Sequence, residues 1–220
     1  MSNKNRTRYI FFDMDGTLTE SRQAALPEMI SELERIKEKY KIIIASGAEL
    51  KRMMWQVPVR GVTYFAQNGN EVFEEDKLLW VKELPNKKEI LEHIERLREG
   101  YPHSEIEDRG SELVVSFTGF HAPFDVKNKF DPDRKIRMEM LKKFPHPNAY
   151  VAGTSGIDYI PFTKGENIQD YMAKNNIDPI ECLYVGDALE PGANDYTVCG
   201  IIPTFAVKNP EDTLKFIKLL

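Results

Sequence analysis

Short apolar runs recur along the first third of the chain, each ending abruptly in polar residues. Ile10-Phe11-Phe12, Ile42-Ile43-Ile44-Ala45 and Val62 to Ala66 are rich in β-branched and aromatic residues, which predicts buried strands. Between the first two, Leu26, Met29, Ile30, Leu33 and Ile36 fall at helical spacing among charged residues, so a helix is expected over Pro27 to Tyr40 with proline in its first turn. Strand, helix and strand at this length imply a right-handed parallel crossover. A second helix is expected from Ala48 to Met54. The third strand runs out into Gln67-Asn68-Gly69, which reads either as a hairpin turn, with Glu71 to Phe73 and Leu78 to Trp80 as arms, or as a place where Asn68 contacts substrate.

From about Glu83 the pattern changes. A charged helix, Lys87 to Arg98, precedes two alternating stretches, Ser104 to Asp108 and Glu112 to Thr118. Ala122 to Asp133 reads as a polar flexible loop, and a second charged helix, Asp133 to Lys143, precedes strands Ala149 to Ala152 and Gly156 to Pro161. Helix-strand-strand twice over predicts a small α+β module with an antiparallel sheet. Residues 83–161 are therefore expected to form an insert in an α/β fold made of residues 1–82 and 162–220. Beyond it come a helix over Ile168 to Lys174, a strand over Glu181 to Val185, Val198 to Ile202 and Phe205 to Val207 continuing the core, and a closing amphipathic helix over Pro210 to Leu220.

With 41% hydrophobic residues in 220 positions, the chain can bury a sizeable core. A formal charge of −5 argues against nucleic acid as a partner, which would need clustered Lys and Arg. Cys182 and Cys199 lack metal or redox spacing and read as small core residues in a reducing compartment. Nothing resembles a secretory leader, and no apolar run is long enough to cross a bilayer, so the expectation is a cytoplasmic monomer or homodimer without a membrane partner. The polar stretch Asn3 to Arg8 reads as a lead-in, and its Asn5-Arg6-Thr7 glycosylation triplet as accidental.

The chemistry concentrates where the first strand ends, in Asp13-Met14-Asp15-Gly16-Thr17-Leu18-Thr19. Two neighbouring carboxylates resist joint ionisation unless a cation sits beside them, and Mg²⁺ typically leans on one or two carboxylates plus a substrate phosphate. This stretch resembles the first motif of the haloacid dehalogenase-like (HAD) phosphotransferases. Ser46 after the second apolar run, Lys164 after Tyr159 to Phe162, and Gly186-Asp187 after Cys182 to Val185 match the later motifs in order.

The resemblance implies a Rossmann-like parallel-sheet HAD core with an inserted α+β cap domain. It also implies that Asp13 is the nucleophile forming an aspartyl-phosphate, and that Asp15 is the acid and base whose backbone carbonyl also meets the metal. Ser46 and Lys164 would steady the phosphoryl group; Asp187 would bind Mg²⁺ directly, and Asp195, with Asn194, would act through water or from behind. The subgroup with an α/β cap holds phosphomannomutases and sugar phosphatases. Arg22, Ser46-Gly47, Glu107-Asp108-Arg109 and the acidic loop Gly186 to Asp195 look like a phosphomannomutase, whereas Gly119-Phe120-His121 stands where the mutases carry Gly-Arg.

The expected substrate contacts are accordingly Arg22, Asn68, Arg109 and His121, with Lys127, Lys129 and Arg134 nearby as cations. His93, His103 and His146 are assigned to the surface. The expected activity is Mg²⁺-dependent hydrolysis of a small phosphorylated metabolite, a sugar phosphate, with phosphomannomutase as the alternative. A HAD-like fold kept only as a binding module would have lost part of the Asp13, Asp15, Lys164 and Asp187 set, all of which is present.

Overall fold

A computed structural model describes residues 7–220, so the lead-in expected from Asn3 lies outside the described residues as far as Arg6. The chain divides into two compact units, one running through Val81 and resuming at Thr163–Leu220, the other comprising Lys82–Phe162. The first contains β1 (Tyr9–Asp13), α1 (Pro27–Ile36), β2 (Lys41–Ala45), α2 (Leu50–Gln56), β3 (Thr63–Ala66), β4 (Glu71–Glu74) and β5 (Lys77–Val81). The insert contributes α3 (Lys87–Leu97), β6 (Glu105–Asp108), β7 (Leu113–Ser116), α4 (Phe124–Phe130), α5 (Lys135–Lys143), β8 (Ala149–Ala152) and β9 (Gly156–Tyr159). The first unit then closes with α6 (Lys164–Asn175), β10 (Cys182–Gly186), β11 (Thr204–Ala206) and α7 (Pro210–Ile217).

The seven strands of the first unit order as β11-β10-β1-β2-β3-β4-β5, parallel from β11 to β3, with β4 and β5 antiparallel at one edge. Strand periodicity splits each apolar run between two cores. Ile10, Phe12, Ile42 and Ile44 pack with Met29, Leu33 and Ile36 of α1 and Ile217 of α7; Phe11 and Ile43 pack on the other face with Ile168 and Tyr171 of α6. Burial on both faces explains why these runs are continuously apolar. Because β1, β2 and β10 run parallel, Asp13, Ser46 and Asp187 all emerge at the same edge of the sheet.

The Asn68-Gly69 pair joins β3 to β4 through a short 3₁₀ turn, whereas the arms expected from it, now β4 and β5, are joined at Glu75-Asp76, where Glu75 takes φ 55°. The helix expected to begin at Ile168 begins at Lys164, because Thr163 and Glu166 form a reciprocal capping box: Glu166 N–H reaches Thr163 Oγ1 at 3.3 Å, and Thr163 N–H reaches Glu166 Oε2 at 2.7 Å. Val198 and Ile202 are buried, but they belong to a 3₁₀ turn and an isolated bridge rather than a strand.

The inserted unit has a four-stranded antiparallel sheet, β6-β7-β9-β8, with Ile90, Ile94 and Leu97 of α3 packed on Leu113, Val115, Ile157 and Tyr159. The expected flexible loop contains α4, whose acidic first turn (Asp125) and basic last turn (Lys127, Lys129) suit the helix dipole. His93 corrects its surface assignment. It lies one turn from Ile90 on the apolar face of α3, buried, with its ring nitrogens 2.8 Å from Tyr159 Oη and 3.0 Å from the Phe144 carbonyl. Among the described residues no helix is long and apolar enough to cross a membrane.

Candidate active site

Asp13 is the last residue of β1, and its carboxylate is almost enclosed. Oδ1 accepts from Lys164 Nζ at 2.7 Å, and the other oxygen has no hydrogen-bond donor among the described residues. The Lys164 ammonium, 1% exposed on the first turn of α6, also donates to Asp195 Oδ1 at 2.6 Å and to Tyr184 Oη at 3.0 Å. Tyr184 in turn donates to the same Asp195 oxygen at 2.6 Å. Close approach of α6 to the turn carrying Asp195 makes this possible: a Cβ on Gly165 would lie 2.0 Å from the Thr197 carbonyl oxygen.

Carboxylate oxygens of Asp13, Asp187 and Asp195 can all lie within 4.8 Å of one another, and Asp187 Oδ1 also accepts from Thr17 Oγ1 at 3.3 Å. Three carboxylates facing one ammonium leave two negative charges uncompensated when all are ionised. Burial pushes the Asp13 carboxyl well above the usual carboxylate range; Lys164 pulls it back, and Asp195 and Asp187 push it further up. Desolvation and Asp195 raise Asp187 as well. Burial works against the Lys164 ammonium, but Asp13 and Asp195 outweigh it and hold its pKa above that of an ordinary lysine.

Asp195 Oδ2 is buried with no hydrogen-bond partner in the protein. An orphaned carboxylate oxygen in a doubly over-charged cluster is the arrangement a divalent cation would complete, so these residues fit one. Asp195, expected to act through water or from behind, is therefore grouped directly with Asp13 and Asp187. Asp15 gives no carboxylate oxygen to this group. Its Oδ1 accepts from Arg22 N–H at 2.8 Å and Gln56 Nε2 at 3.1 Å, and its Oδ2 faces Arg52 at 3.4 Å.

Ser46 follows β2 and is buried; its Oγ accepts from Ala48 N–H at 3.1 Å, which leaves the hydroxyl proton available to an anion. Asn68 sits beside this turn. Its N–H donates to the Ser46 carbonyl at 2.8 Å, and its own carbonyl accepts from Asn167 Nδ2 of α6 at 2.9 Å. Arg22 meets Asp15 through its backbone, and its side chain is exposed.

Two expected contacts lie in the inserted unit. Arg109 donates to Glu107 Oε2 at 2.7 Å and to Glu112 Oε1 at 2.9 Å, and it lies 6.0 Å from the centre of the Phe120 ring. His121 is exposed beside His103, Ser104 and Glu105 in a cleft of about 340 Å³.

Three side chains close to these groups carried no sequence signal. Tyr184 sits inside an apolar strand and reads as core, while Arg52 and Gln56 lie one turn apart on α2 and read as a solvated face. Only the fold turns them toward Asp15 and Asp195.

Residues 11–125 match the sequence profile of the family described as trehalose-phosphatase. Phosphomannomutase from Schizosaccharomyces pombe is 27% identical over 240 aligned positions, covering 95% of this chain and 92% of that protein. Among solved structures, the N-terminally truncated, IMP-bound IMP-nucleotidase of Plasmodium falciparum superposes with a TM-score of 0.73 at 16% identity, over 100% of this chain and 70% of that one. A haloacid dehalogenase-like hydrolase from Bacteroides thetaiotaomicron gives 0.68 at 12% identity, over 97% and 99%. At these identities the two structures speak for the fold.

Proposed function

Because the chain belongs to the trehalose-phosphatase family, a group of HAD-type phosphatases and phosphotransferases, we propose that it is a Mg²⁺-dependent phosphatase acting on a small phosphorylated metabolite, a sugar phosphate. The observation that carries this reading is Asp13, with one oxygen held 2.7 Å from Lys164 and the other unbonded, beside an acidic group that fits a cation.

In the proposed reaction the unbonded oxygen of Asp13 attacks phosphorus as the bond to the sugar oxygen breaks, and Asp15 gives its proton to the departing oxygen. Water then attacks the aspartyl-phosphate and loses its proton to Asp15, and the Asp13–phosphorus bond breaks to release phosphate. Asp13, Asp187 and Asp195, with the Asp15 carbonyl, would hold Mg²⁺, which supplies charge neutralisation at the phosphoryl oxygens. Ser46 and Lys164 steady the same oxygens. Lys164 also donates to both Asp13 and Asp195, which opposes the burial that favours the neutral form of the nucleophile. Arg22 and Asn68 are proposed as substrate contacts. Cys182 and Cys199 are both unpaired, which supports a reducing, cytoplasmic setting.

The similarity to phosphomannomutase along 92% of that relative favours a second reading, interconversion of mannose 1- and 6-phosphates. A mutase must grip a second phosphate with a fork of Arg donors. Arg109 is engaged by Glu107 and Glu112, and Phe120 stands in the expected Arg position, which supports the phosphatase. The discriminating experiment supplies mannose 1-phosphate with Mg²⁺ and a trace of the bisphosphate, then measures free phosphate against mannose 6-phosphate. Phosphate without isomer is the expected result; predominant isomerisation would sink the phosphatase.

A further inference from the structure

We propose that Gln56, assisted by Arg52, is a positioning residue for the proton-transfer carboxylate of Asp15; this rests on the acid–base role given to Asp15 above. Gln56 is the last residue of α2 and is fully buried. Its side-chain nitrogen lies 3.1 Å from Asp15 Oδ1, 3.0 Å from Thr19 Oγ1 and 3.1 Å from the Gln23 carbonyl. Its backbone carbonyl accepts from Ala25 N–H at 2.7 Å. One side chain thus ties the whole turn after Asp15 to α2.

Packing alone does not explain a glutamine here. Its Oε1 is buried without a partner, so the side chain carries an unmet polar atom that a methionine of similar volume would avoid. What the amide provides in return is direction. Asp15 Oδ1 receives two donors, Gln56 and the Arg22 N–H, whereas Oδ2 faces only Arg52, at the longer distance of 3.4 Å. Arg52 and Gln56 are four residues apart on α2, so one helix face addresses both carboxylate oxygens. Two donors thus fix Oδ1 in place, and Oδ2, contacted only by Arg52, is the oxygen assigned to proton transfer. Oδ2–H then gives its proton to the leaving alkoxide as the phosphorus–oxygen bond breaks and the Asp13–phosphorus bond forms; no other reactant is needed.

The experiment compares kcat/KM for two esters in the full-length protein with Mg²⁺. 4-Nitrophenyl phosphate releases a stable anion and needs no acid, while a hexose 6-phosphate releases an alkoxide and does. Because kcat/KM reports steps only as far as leaving-group departure, water activation does not enter the comparison. Gln56→Met is expected to lower the hexose value about 10-fold or more and the nitrophenyl value less than about 3-fold. Arg52→Met, at a partly exposed position, should move the ratio the same way by a few-fold and stands in should Gln56→Met fail to fold. A merely structural role would lower both esters alike, and an unchanged ratio in the folded variants would overturn the proposal. Asp15→Asn separates the two claims. If it leaves the ratio intact the acid–base reading fails, whereas a ratio that collapses in Asp15→Asn but holds in the α2 variants removes only the positioning role.

Discussion

Lys164 and Asp195 form a 2.6 Å ion pair in which neither side chain is more than 1% exposed, and the same ammonium holds Asp13 at 2.7 Å. Removing the cation would strand two buried carboxylates. Lys164→Met is therefore expected to cost about 3–5 kcal/mol of stability without metal, measured by urea unfolding. Mg²⁺ should restore part of that loss.

The acidic group makes a separate demand on the metal-free protein. Adding Mg²⁺ to about 100 times its dissociation constant should stabilise the fold by about 2.7 kcal/mol. Asp187→Asn and Asp195→Asn should each abolish most of the gain. Calorimetric melting with and without Mg²⁺ reads this without reference to turnover; a full gain in both variants would remove these residues from the metal.

Gly165 should not tolerate alanine despite its place in a helix. Alanine is intrinsically favoured there by about 1 kcal/mol, but its Cβ would lie 2.0 Å from the Thr197 carbonyl, and such overpacking costs about 1–3 kcal/mol or more. Backbone on both sides means that α6 must retreat, carrying Lys164 with it. The variant is expected to melt lower and to lose activity by more than its stability loss explains, as measured at a temperature where it is fully folded.

Asp131 anchors the inserted unit. Its Oδ2 accepts from Arg137 Nε at 2.8 Å and Arg137 N–H at 3.1 Å, and its Oδ1 accepts from Ile136 N–H at 3.0 Å. Burial would raise this carboxyl, but the Arg137 guanidinium and the two amides outweigh it and hold its pKa below the ordinary 3.8. The stabilisation is thus present above about pH 4 and is lost as pH falls through the depressed folded value. Asp131→Asn should destabilise the insert at pH 7 and weaken its acid dependence, read by amide exchange of β8 and β9.

Much of this architecture was legible because burial on both faces forces unbroken apolar runs: β1, β2, β3 and β10 all announce themselves. The Asp13-to-Thr19 stretch pointed to the sheet edge for the same reason, since a carboxylate pair can only follow such a run where the strand leaves the core. Lys164 was visible as a residue but not as the start of α6, because apolar periodicity begins only at Ile168 and the helix start is marked instead by the Thr163-x-x-Glu166 capping pattern ahead of it. The helix α4 was hidden by its polarity. Gln56 and Tyr184 were illegible in principle, one a polar residue at a helix end and the other an aromatic in a strand, until a residue distant in sequence approached each.

The position of β1 between β2 and β10 also bears on how the protein is made. One neighbour follows β1 within a few dozen residues, but the other pairs Tyr9 with Cys182, roughly 170 positions later, after the whole insert has been synthesised. At translation rates of about 5–20 residues per second, this buried strand waits on the order of 10–30 s with one edge unpaired. For that interval the nascent chain carries an open template for other strands. The segment whose arrival closes it, β10, leads straight into Asp187 and Asp195, so the edge is protected and the acidic cluster is assembled in a single late event.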